Sequence, residues 1–107
     1  METSKEVLNL NIKKRGVVKG KLTSFSTYLS KLVGLSADTT LESVKLIELE
    51  SRLNTLPDIY SEFDTYQTLC ELNVENLDEQ LKERESFHNS YFSLLDTGKD
   101  LLKKKYR

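Results

Sequence analysis

The chain of 107 residues has one cysteine, one histidine, one proline, no tryptophan and four glycines. Each shortage closes off a class of protein. A lone Cys70 cannot form an internal disulfide, and one cysteine with one histidine cannot complete a zinc site. No apolar run approaches the roughly 18 residues that a membrane span needs. No apolar N-terminal stretch resembles a secretion signal, and no Asn-x-Ser/Thr acceptor occurs. An intracellular, cytoplasmic protein is expected, with no membrane span and no cofactor.

The few glycines invite one chemical reading that spacing excludes. Gly16-Val-Val-Lys-Gly20-Lys21 has the look of a phosphate loop. That loop needs four residues between its glycines, Ser or Thr directly after the lysine, and a buried strand before it. Here three residues separate the glycines, Leu22 follows Lys21, and the polar NLNIKKR precedes. From Val18 onward Leu22, Phe25, Leu29 and Leu32 step by 4, 3, 4 and 3, which is one helix face. A first helix over about 13–33 is predicted, weakened at Gly16 and Gly20 and stopped at Gly34. Residues 1–12 read as a flexible N-terminal segment and 13–107 as a single domain.

What is present suits long amphipathic helices. The hydrophobic class makes up 37% of the chain and charged residues 31%, too polar for a thick core and too rich in Leu, Tyr and Phe for disorder. Thr39-Thr-Leu-Glu42 is a capping box. Leu46, Leu49, Leu53, Leu56, Tyr60, Phe63, Gln67, Cys70, Val74, Leu77 and Leu81 then keep a coiled-coil rhythm that only Gln67 breaks. Pro57 falls inside this series without changing its phase, so a kink in one helix is expected. Asn73, Asn76 and Asp78 mark a tight turn near 73–77. In the third helix Leu81, His88, Tyr91, Leu95 and Leu102 form one side, with Phe87 and Leu94 beside them and Gly98 as a weak point. His88 reads as a packed ring with one nitrogen satisfied and Cys70 as a small core residue.

The predicted fold is all-α: an antiparallel hairpin of helices at about 39–72 and 78–105, with the shorter first helix packed on one half. That makes a three-helix, coiled-coil-like bundle. At 1.5 Å per residue the first helix reaches about 30 Å against about 50 and 43 Å for the others. Residues 63–87 are therefore expected to stand as an uncovered two-helix arm. Its apolar residues Phe63, Tyr66, Leu69, Leu72 and Leu77 are the predicted self-association surface.

Charge runs in blocks. Residues 7–37 carry six bases and no acid, residues 38–90 carry thirteen acids against four bases, and residues 91–107 return to +3. The basic start of the first helix is expected beside Asp58, Glu62 and Asp64, and the basic tail beside Glu42, Glu48 and Glu50. The competing use of the same bases is weak binding of nucleic acid, RNA in particular, through Lys13, Lys14, Arg15, Lys19 and Lys21 with Lys103, Lys104 and Lys105. No buried acid–base pair stands out, and Asp96-Thr-Gly98, a protease-like string, sits in a helical pattern. No enzyme and no small-molecule substrate are indicated.

Several segments in order resemble a known family: Arg15-x-x-x-Lys19-Gly20-x-Leu22-Thr23-x-Phe25, Glu50-x-Arg52-Leu53-x-x-Leu56, Phe63, Gln67, and Glu83-Arg84-Glu85-x-Phe87-x-x-x-Tyr91-Phe92-x-Leu94. Together they resemble the N-terminal helical Gag domain of BEL/Pao-type LTR retrotransposons, over residues 13–104. That family often has Trp near Tyr60 and no proline at 57. The resemblance implies a non-enzymatic structural module that assembles with itself or with other Gag-like chains around element RNA. A host coiled-coil adaptor is the alternative of a different class.

Overall fold

The computed structural model describes residues 4–36, 43–74 and 77–105, with side chains over 5–35, 43–74 and 77–103. Three helices pack as an antiparallel bundle: α1 (Ser4–Ser36), α2 (Ser43–Leu72) and α3 (Leu77–Lys105). No strand occurs among the described residues. The predicted capping box at 39–42 lies outside them. The expected turn is present: α2 ends at Leu72, α3 begins at Leu77, and the Asn73 N–H donates to the Cys70 carbonyl at 3.2 Å.

The seams read from periodicity are the core. Val18, Leu22, Phe25, Leu29 and Leu32 of α1 are all buried, as are Leu46, Leu49, Leu53, Leu56, Phe63 and Cys70 of α2. Side chains three and four apart share a helix face, so each series meets its partner as one stripe. Phe63 stacks on Phe87 with ring centroids 3.7 Å apart, which joins α2 to α3.

Five expectations need correction. α1 begins at Ser4, not near 13, and at 33 residues it is the longest helix. Within the segment 4–12, Val7 and Leu8 are half-buried and Asn11 is buried. Asn11, only 5% exposed, donates its amide back to the Val7 carbonyl at 2.8 Å and so enters the bundle without an orphaned polar group. α1 therefore covers the whole of α2, and the uncovered arm at 63–87 does not exist. Phe63, Gln67 and Cys70 sit at 2%, 0% and 0% exposure.

Gly34 does not stop α1, which runs on to Ser36; no described glycine has a positive φ. The expected face of α3 holds in part: Phe87 and Tyr91 are buried and Leu94, Leu95 and Leu102 pack against the core, whereas Leu81 and His88 are exposed and Gly98 and Leu101 are buried instead. Gly98 is a fitting point rather than a weak one. A β-carbon built there would lie 2.6 Å from Leu53 Cδ2, so its absence lets α3 approach α2. Pro57 is exposed and α2 runs through it unbroken. Its missing N–H leaves the Leu53 carbonyl without its ladder bond.

Candidate interaction site

A polar layer crosses the core near the hairpin turn. Gln67, fully buried, is its centre. Arg15 of α1 donates from Nη1 to Gln67 Oε1 at 3.0 Å and to Gln80 Oε1 of α3 at 2.7 Å. Gln67 Nε2 donates to Glu71 Oε2 at 3.0 Å and to the Gln80 carbonyl at 2.6 Å. Arg84 clamps Glu71 through Nε at 2.7 Å and Nη2 at 3.1 Å, and reaches Asp64 at 2.6 Å and Thr68 at 3.2 Å. All three helices meet in one network with one mutual alignment.

The electrostatics follow from this geometry. The Arg84 hydrogen bond holds the Glu71 carboxyl below its ordinary value, against the opposing effect of burial, and Gln67 adds to the lowering. The same Glu71 bond, followed by that to Asp64, makes Arg84 still harder to deprotonate. Burial pushes the Cys70 thiol up. A buried, protonated thiol is a packing group and not a nucleophile.

The predicted self-association residues separate into two sets. Phe63 is core and Tyr66 is half-buried beneath the Lys14 ammonium, 5.7 Å from its ring centroid. Leu69, Leu72 and Leu77 are exposed, at 37%, 75% and 44%. Leu10 of α1 and Leu81 of α3, missed by the sequence reading, are exposed at the same end. No sequence signal marked Leu10, and the seam rhythm assigned Leu81 to the core.

The predicted nucleic-acid residues are likewise divided. Arg15, Lys19 and Lys21 are engaged within the fold, with Lys19 paired to Glu83 and Lys21 to Glu62 at 3.1 Å. Of the three expected acidic partners, Glu62 receives Lys21 and Asp64 instead serves Arg84. Lys13 and Lys14 are exposed. Lys103 is exposed near Glu50 and Lys99, at the other end of the bundle. Some twenty residues of helix separate its level from that of Arg15, about 30 Å. The two basic segments do not form one patch. The side chains of Lys104 and Lys105 lie outside the described residues. Glu48 bonds Arg52 in its own helix, and Glu42 lies outside the described residues.

His88 is exposed, its Nδ1 3.2 Å from the Tyr60 hydroxyl, and its ring lies 4.6 Å from Phe92. A shallow groove of about 210 Å³ runs between α1 and α3, walled by Lys19, Thr23, Ser26, Ser86 and Ser90 over a floor of Leu22, Phe87 and Leu94. Its hydroxyls have no histidine or carboxylate base beside them in that lining. No group of three or more His, Cys, Asp or Glu among the described residues could hold a metal ion. No described helix is long and apolar enough to cross a membrane.

The fold is a three-helix bundle with large apolar side chains exposed toward both ends, Leu10, Leu69, Leu72, Leu77 and Leu81 at the turn end and Val33, Leu35, Val44 and Ile47 at the other. Compared with protein families, curated proteins and solved structures, the chain matches none.

Proposed function

We propose that the protein is a non-enzymatic structural module that works by helix-mediated self-association inside the cell. The observation that carries this reading is the apolar end of the bundle, where Leu69, Leu72, Leu77, Leu10 and Leu81 are 37–75% exposed. Exposed leucines gathered at one place mark an association surface, and a second copy is the commonest way to cover it. The resemblance to BEL/Pao Gag domains supports the same role, with other Gag-like chains and element RNA as further partners. The polar layer beneath the surface supports it too, since it fixes the helices on which the leucines are displayed.

Sedimentation velocity over a dilution series from about 100 µM tests the reading. A mass that rises with concentration is expected, and Leu10→Glu or Leu81→Glu should abolish the rise with helicity unchanged. A wild-type chain that stays monomeric throughout would remove the proposal.

A further inference from the structure

Two exposed stripes on different helices carry complementary patterns. On α1, Leu10 and Val17, at 45% and 65% exposure, lie two turns apart with exposed Lys13 and Lys14 between them. One turn further on, a β-carbon built at Gly20 would meet nothing within 4 Å, so the helix there is bare. On α3, Leu81, Glu85, His88, Phe92 and Asp96 step by 4, 3, 4 and 4, which keeps them on one face, and all five are exposed. Leu81 and Phe92 are 46% and 45% exposed, and the Phe92 ring lies 5.9 Å from that of Tyr60. The first stripe sets lysines between apolar residues; the second sets Glu85, His88 and Asp96 beside Leu81 and Phe92. Lys13, Glu85 and Asp96 form no ion pair among the described residues.

We infer that the α3 stripe of one copy receives the α1 stripe of a second copy. The inference rests on the self-association reading and says which surfaces meet. Pairing α3 with α3 would set Glu85 and Asp96 against their own kind, and pairing α1 with α1 would oppose lysines. Only the unlike pairing covers the apolar residues while bringing lysine to carboxylate. Leu10 and Leu81 bring the apolar end of the bundle into the same contact. A surface that pairs with a different surface leaves one of each kind on the outermost copies. Further copies can add there until the assembly closes on itself.

The test uses two variants, Val17→Asp and Phe92→Lys, each of which places a like charge against the facing stripe. Each alone should be monomeric where the wild type associates, with association weakened about tenfold or more. Mixed in equal amounts they should recover association, because each supplies the surface that the other lacks. If Phe92→Lys loses helicity, the double variant Glu85→Lys/Asp96→Lys, which removes no ring, replaces it. A Val17→Asp chain that still associates like wild type, or a mixture that stays monomeric, overturns the pairing and leaves self-association standing. A monomeric wild type overturns both.

Discussion

At the scale of single residues, the most informative side chain is the one that breaks the apolar series. Gln67 has no exposure, yet both ends of its amide are bonded, to Arg15 on one side and to Glu71 and the Gln80 carbonyl on the other. A buried polar group without such partners costs its full desolvation penalty. Gln67→Leu should therefore lower stability by about 1–3 kcal/mol in chemical denaturation, because it leaves its partners short of bonds. Glu71 makes a pH prediction. Its pKa is lowered in the folded state, chiefly by Arg84, so the folded chain binds fewer protons there than the unfolded chain. Its contribution is complete above the ordinary carboxylate value of about 4.3 and is lost as pH falls through the depressed one. Between pH 7 and pH 3 the wild type should lose more stability than Glu71→Gln, read from melting temperatures across that range. Tyr28 is the contrary case. Its hydroxyl is buried without a hydrogen-bond partner among the described residues, while its ring lies under the Arg52 guanidinium, 4.1 Å from the centroid. Tyr28→Phe keeps the ring and removes the orphaned group, so stability should hold or rise by about 1 kcal/mol.

At the scale of elements, glycines that look alike in sequence have opposite consequences. Gly20 has open space where a β-carbon would go, so alanine there adds helix propensity and nothing else. Gly20→Ala should stabilise by about 1 kcal/mol. Gly98 faces Leu53 at 2.6 Å, and Leu53 is only 6% exposed, with little room to turn aside. Gly98→Ala should cost about 1–2 kcal/mol despite the same gain in propensity, since overpacking a closed core outweighs it. Paired melts of the two variants, moving in opposite directions, check the assignment. Pro57 belongs to the same scale: the phase of Leu53 and Leu56 continues into Phe63, and α2 continues with it. Solvent lies on that side, so the ring displaces no packed neighbour.

At the scale of the whole molecule, the division of labour between sequence and tertiary structure follows from what periodicity can encode. Asn73, Asn76 and Asp78 marked the turn near 73–77, and steps of three and four fixed the fold class, the three helices and the buried faces of α1 and α2. They did so because a helix repeats every 3.6 residues whatever its neighbours do. On that basis Phe63, Tyr66, Leu69, Leu72 and Leu77 read as one interface. Only Leu69, Leu72 and Leu77 are exposed enough to serve, because coverage of a face depends on how far the next helix extends. That extent was hidden. Residues 4–12 carry no clean stripe, yet they are helical, with Asn11 buried and bonded back to the Val7 carbonyl. The exact alignment of α1 along α2 was equally hidden, and with it the partners of Arg15 and Lys19, which lie 52–65 residues away, although Glu62 was expected beside the basic start that holds Lys21. Periodicity says which face of a helix is apolar and is silent on its axial position. The sequence by itself thus determined that this is a bundle of three amphipathic helices with a basic first member. Which charges cancel inside the bundle, and which leucines remain outside, was decided only when the helices met, since alignment depends on side chains interlocking across long separations in the chain.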